Sequence, residues 1–135
     1  MRALKYLFVY ITPAIVFFSL WAADYRSYSA LVLLFGIIPL AELFTPASRR
    51  NLTVAEEEVA KADRTYDLLL YGLVPAQYFL LWYFLRQVSA EELSLWVQAG
   101  MVIAFGMSCG VLGINAAHEF GHRHTWHEQF MSKML

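Results

Sequence analysis

Apolar residues in this chain gather into long runs that lack the alternating polarity of a strand. Four of these runs, at positions 7–23, 27–44, 68–85 and 93–117, are long enough to cross a hydrocarbon core, which takes roughly 20 residues of helix at about 1.5 Å each. Lys5 and Asp24 bound the first run, and Asp67 and Arg86 bound the third, with no charge inside either. Length and continuity exclude the strands of a membrane barrel. Pro13, Pro39 and Pro75 fall within the runs, where a membrane helix tolerates a kink because its neighbours re-satisfy the freed backbone groups. The pattern predicts an all-α integral membrane bundle. It has four transmembrane helices in two hairpins, with cytoplasmic helical segments, as a single domain over 1–135.

Composition explains why a bilayer is the expected solvent. Hydrophobic residues make up 59% of the 135 positions and charged residues 16%, against roughly 25% charged in a soluble domain. A net charge of −1 without a basic stripe excludes an electrostatic nucleic-acid binder. The N-terminal run outlasts the 7–15 residue core of a secretory signal and has Leu20 where a small residue is expected before Ala23, so it is read as a retained span. With the N-terminus in the cytoplasm, that side collects Arg2, Lys5, Arg49, Arg50, Lys61, Arg64, Arg123 and Lys133, and the other side only Arg26 and Arg86. That asymmetry predicts an inner-membrane protein with both termini cytoplasmic.

The inner connection, 45–67, is polar, and Thr53-Val54-Ala55-Glu56 has capping-box spacing, which predicts a surface helix over about 54–64. Its acidic run, Glu56-Glu57-Glu58, is read as a solvated face. Gly106, Gly110 and Gly113 form a small-residue face on the fourth run. Tight helix packing is the default expectation there, and a channel for a substrate tail is the sharper one. The lone cysteine, Cys109, is read as a packing residue.

Chemistry concentrates at the end of the fourth run. All four histidines, His118, His122, His124 and His127, lie within ten residues. At about 100° per helical residue, His118 and His122 are roughly 40° apart around the axis and one turn along it, so both rings reach one point. They are the candidate metal ligands. Asn115, one turn earlier, is placed to hydrogen-bond a ligating ring. His124 and His127 project to the other side if the helix continues, and a bend would be needed to recruit His124. Glu119 is a candidate general base, a partner to a ligand, or an interfacial carboxylate. Glu42, near the inner end of the second run, either approaches the site or is an interfacial charge.

His118-Glu119-Phe120-Gly121-His122 matches the zinc metalloprotease signature, in which the glutamate activates a zinc-bound water. It resembles the form found in intramembrane zinc proteases, which need a further ligand from a later span. The longer stretch Asn115-Ala116-Ala117-His118-Glu119-Phe120-Gly121-His122-Arg123 resembles the first histidine box of the membrane-bound alkane 1-monooxygenases, within the fatty acid desaturase and hydroxylase superfamily. His127-Glu128-Gln129-Phe130-Met131-Ser132-Lys133 is similar to that family's continuation, and Ile38-Pro39-Leu40 with Glu42 to the end of its second span.

The resemblance implies a non-haem di-iron enzyme that inserts one atom of O₂ into a terminal C–H bond of an alkane or other lipid-like substrate taken from the membrane lipid, with a rubredoxin-type electron donor. His118 and His122 match two of the family's iron ligands. The family's later histidine boxes are absent from the sequence, and two imidazoles cannot hold two irons. The chain is therefore expected to be an N-terminal part of a longer enzyme, inactive alone. A non-catalytic membrane interaction protein is the third reading.

Overall fold

A computed structural model describes residues 3–45, 63–89 and 93–135, and the described residues are all helix, turn and short connection. The expected surface helix over about 54–64, with its acidic run, lies outside them except for Asp63 and Arg64. A 3₁₀ segment, Ala3–Tyr10, leads into α1, Ile11–Ala22. The next helices are α2, Tyr25–Phe44, α3, Thr65–Val88, and α4, Leu95–Gly121. A short α5, Trp126–Met134, closes the chain.

Three helices, α2, α3 and α4, are long and apolar enough to cross a membrane; the apolar stretch Tyr6–Ala22 is shorter. The described residues thus hold three such spans against the expected four. Local chemistry sets the helix ends. Ala23 turns the chain with a left-handed φ of 50°, and Asp24 then accepts from the Arg26 amide at 2.8 Å and starts α2. Ser94 caps α4 by accepting from the Val97 amide at 3.4 Å. Asp67 in the first turn of α3 and Arg86 in its last both complement the helix dipole.

The helices alternate in direction. Gln87 at the end of α3 donates to the Leu20 carbonyl near the end of α1 at 3.1 Å, and Tyr28 near the start of α2 donates to Trp96 near the start of α4 at 2.9 Å. At the opposite end Tyr10 donates to Leu69 at 2.7 Å. One apolar cluster, Val16, Leu20, Ala30, Leu80, Met101 and Ala104, fills the first end. A second cluster, Leu73, Val74, Ala116 and Phe120, fills the other. Between them Ser108 donates to Gln77 Oε1 at 2.8 Å, and Gln77 Nε2 donates to the Cys109 sulfur at 3.3 Å.

Glycines admit close contact at positions other than those expected. A Cβ at Gly100 would collide with Ser27 and with the Tyr28 ring, and one at Gly72 would collide with the Tyr10 hydroxyl, whereas Gly106 and Gly110 have nothing within 4 Å. Of the expected small-residue face, Gly106 and Gly110 thus have no close neighbour among the described residues, and a Cβ at Gly113 would make ordinary contact with the Leu135 backbone oxygen at 3.9 Å. Two helices widen into π turns, Val32–Ile37 in α2 and Cys109–Gly113 in α4. The first precedes Pro39, which lacks an N–H and crowds the carbonyl four residues back; the wider turn relieves both. Beyond it α2 stands clear, with no buried residue from Val32 to Phe44.

Candidate metal centre

The last two turns of α4 carry the histidine motif, and its residues divide between two faces. Phe120 is 0% exposed and stacks on Tyr71 of α3, with ring centroids 5.8 Å apart and planes 18° apart. Ala116, one turn earlier, is buried in the same cluster. Burying Phe120 fixes the rotation of the helix, so His118 and His122 are presented on an exposed face. Their Nε2 atoms lie 3.0 Å apart, with ring centroids 4.5 Å apart and planes at 90°. Ile114, Ala117, Gly121, Ser132 and Leu135 line the open hollow around the pair.

The spacing suits a metal. Two imidazole nitrogens each about 2.1 Å from one ion, and at right angles about it, stand about 3.0 Å from each other. The donor set is short, however. Among the described residues no group of three or more His, Cys, Asp and Glu side chains is gathered to hold an ion.

The remaining candidates sit apart from the pair. Asn115 Nδ2 donates to Val111 in its own helix at 2.7 Å, not to a histidine ring. Glu119 reaches Arg123 across one turn at 3.5 Å, and its side chain is 57% exposed. Glu42 is exposed in the last turn of α2, in the part of that helix that stands clear. The helix does not continue through the other two histidines: α4 ends at Gly121 and the chain folds back as α5. His127 lies half-buried, edge-on to Tyr71 at 6.3 Å between ring centroids, and His124 is exposed.

The chain reversal after His122 is held by Arg123 and by side chains of the 127–133 stretch whose contacts the sequence pattern does not reveal. Gln129 Nε2 donates to the carbonyls of Gly121 and Arg123 at 2.9 and 2.5 Å, and Ser132 donates to Ala117 at 2.7 Å. The bond to Gly121 satisfies a carbonyl that the helix end leaves without a partner, and the other two tie α5 to the reversal and to α4. Arg123 Nη1 donates to Asp67 of α3 at 2.5 Å and to Glu128 of α5 at 2.8 Å. Glu128, only 4% exposed, also accepts from Tyr71 at 2.8 Å and from the Thr125 hydroxyl. Burial alone would push the Glu128 carboxyl up, but donations from Thr125, Tyr71 and Arg123 outweigh it and hold the group down to about 2. Burial would likewise lower the Arg123 guanidinium, and its bonds to Asp67 and Glu128 raise it instead.

Three curated proteins are similar to this chain. They are alkane 1-monooxygenases. The chain is 30% identical over 143 aligned positions to that of Ectopseudomonas oleovorans and 25% over 141 to that of Pseudomonas putida, each alignment covering 97% of this chain and 34% of the relative. It is 26% identical over 105 positions to alkane 1-monooxygenase 1 of Alcanivorax borkumensis, covering 78% of this chain and 26% of that protein. The chain thus spans about a third or less of the length of these curated relatives. No family model and no solved structure matches it.

Proposed function

We propose that this chain supplies His118 and His122 as the first two ligands of a non-haem di-iron centre in a membrane monooxygenase that hydroxylates a terminal C–H bond of an alkane or similar lipid-like molecule. The observation that carries the proposal is the pair of Nε2 atoms 3.0 Å apart on the exposed face of α4, beside similarity to alkane 1-monooxygenases. Imidazole suits iron, and two rings are too few for two ions. Further ligands then come from polypeptide outside these 135 residues. The chemistry such a centre supplies is the reduction of O₂ by two electrons and two protons, with one oxygen atom entering the C–H bond and the other leaving as water. A rubredoxin-type donor provides the electrons.

The chain's own part is to orient the two rings and to keep them at the end of an apolar bundle. Phe120 sets the helix rotation, and α5 holds the last turn. The stretch Tyr6–Ala22 also fits a span on this reading. Its first five residues rise about 2.0 Å each as 3₁₀ helix and the rest about 1.5 Å, a total of about 28 Å. Glu119, whose polar partner is Arg123, fits this reading better than that of a zinc protease, where the carboxylate must hold a water beside the metal.

The test is iron content and octane hydroxylation by the protein expressed in membranes from its complete gene. His118→Ala and His122→Ala are each expected to lose at least about half of the bound iron and all but about 1% of the activity. Iron and activity equal to the parent in both variants would sink the proposal, and zinc near one per chain in place of iron would transfer the site to protease chemistry.

A further inference from the structure

We propose that Glu128 is a positioning residue for the histidine pair, fixing the chain reversal that begins at His122 by drawing Arg123, Thr125 and Tyr71 onto one buried carboxylate. The inference rests on the metal-binding reading of His118 and His122 and adds to it a residue outside the histidine motif. Thr125-Trp126-His127-Glu128 has capping-box spacing, and a glutamate so placed ordinarily reaches back to the amide at the helix start while the threonine accepts from the helix. Neither occurs here. Thr125 makes no cap hydrogen bond to α5; its hydroxyl donates to Glu128 instead. Glu128 is turned to Arg123 and to Tyr71 of α3. The local arrangement that would stabilise α5 is given up for one that ties α3, the reversal and α5 together.

Position gives the network its consequence. Arg123 directly follows His122, and its guanidinium also bonds Asp67 on α3 and Glu119 on α4. The last turn of a helix frays unless something holds it, and His122 stands at the end of α4. A carboxylate that is 4% exposed cannot drift from its partners without leaving an uncompensated buried charge. Arg123 is thereby held, and with it the direction in which the His122 ring leaves the helix. Residues that orient ligands in this way typically change metal affinity by roughly tenfold to a hundredfold when replaced.

The experiment uses the protein expressed from its complete gene in membranes, loaded with iron-57, challenged with the ferrous chelator ferrozine at 4 °C and examined by Mössbauer spectroscopy. Glu128→Gln is expected to release iron at roughly tenfold to a hundredfold lower chelator concentration and to change the quadrupole splitting of the iron signal. Leu80→Ala, in the apolar cluster at the far end, is expected to lower the melting temperature while leaving retention and splitting at parental values. That contrast separates positioning from mere instability. Retention and splitting unchanged in a folded Glu128→Gln protein would overturn the proposal. Should that variant not fold, Tyr71→Phe and Thr125→Val, which each remove one donor, decide it by the same two measurements. His118→Ala and His122→Ala, run alongside, keep the two readings apart. Iron lost from those variants and held by Glu128→Gln overturns the positioning role alone, and iron held by all of them overturns the metal site itself.

Discussion

At the scale of single residues, the motif works through a division of labour between neighbours: Phe120 turns inward and His118 and His122 turn outward. Phe120 is fully buried, so Phe120→Ala should cost about 3–5 kcal/mol in detergent-solubilised protein. Thermal unfolding checks this, and a loss under about 1 kcal/mol would mean that the ring does not anchor the helix. Glu128 makes a separate prediction about pH. Its folded value of about 2 lies below its ordinary 4.5, so the folded state favours the ionised form. A group depressed in this way contributes stability that is fully present above its unfolded value and is lost as pH falls through the folded one. The contribution near neutrality is about 3 kcal/mol at about 1.4 kcal/mol per unit, and it should disappear between about pH 5 and 2. Melting curves of parent and Glu128→Gln should therefore converge over that window; a difference that persists unchanged to pH 2 would assign the stability to another group.

At the scale of helices, uninterrupted apolar runs located α2, α3 and α4, because a bilayer leaves the backbone little choice but to satisfy itself within a helix; the first run holds a shorter helix than expected, and no apolar run marks α5. The i, i+4 spacing of His118 and His122 was enough to bring their rings together, because that geometry is local. What joins the helices was hidden for the opposite reason. Arg123 meets Asp67 across 56 positions, and Tyr71 meets Glu128 across 57, and no local pattern pairs either residue with its partner. Glycine spacing is silent for the same reason, since three small residues on one face do not say whether a neighbour comes near or a channel stays open. The contacts lie at Gly72 and Gly100. Gly100→Ala should force Ser27 and Tyr28 away from α4 and destabilise the protein by about 1–3 kcal/mol. Gly106→Ala should be neutral or stabilise it by up to about 1 kcal/mol through helix propensity. Paired unfolding measurements in one detergent would expose the error if the two glycines proved interchangeable.

At the scale of the whole molecule, charge is sorted to the two ends of an apolar body. Asp24, Arg26 and Arg86 sit where α1 and α3 finish and α2 and α4 begin, whereas Asp67, Glu119, Arg123 and Glu128 gather where α3 begins and α4 finishes. Alternating helix directions make this sorting a prediction about sidedness, since the turn at Tyr25 and the histidine motif must face opposite aqueous phases if the helices cross a bilayer. The excess of Lys and Arg expected on the N-terminal and histidine side, eight to two in the sequence, predicts that this side faces the cytoplasm. On the proposed function, a soluble electron donor and a substrate dissolved in lipid would then meet at the same end of the bundle. In Cys109→Ser protein, Tyr25→Cys should react with a membrane-impermeant maleimide in right-side-out vesicles, and His124→Cys should react only in inverted ones. Tyr25 is 82% exposed and His124 is exposed, so accessibility within the protein does not limit either. Reversed labelling would invert the orientation and leave the bundle intact, whereas labelling of both cysteines from one face would mean that an odd number of crossings does not separate them.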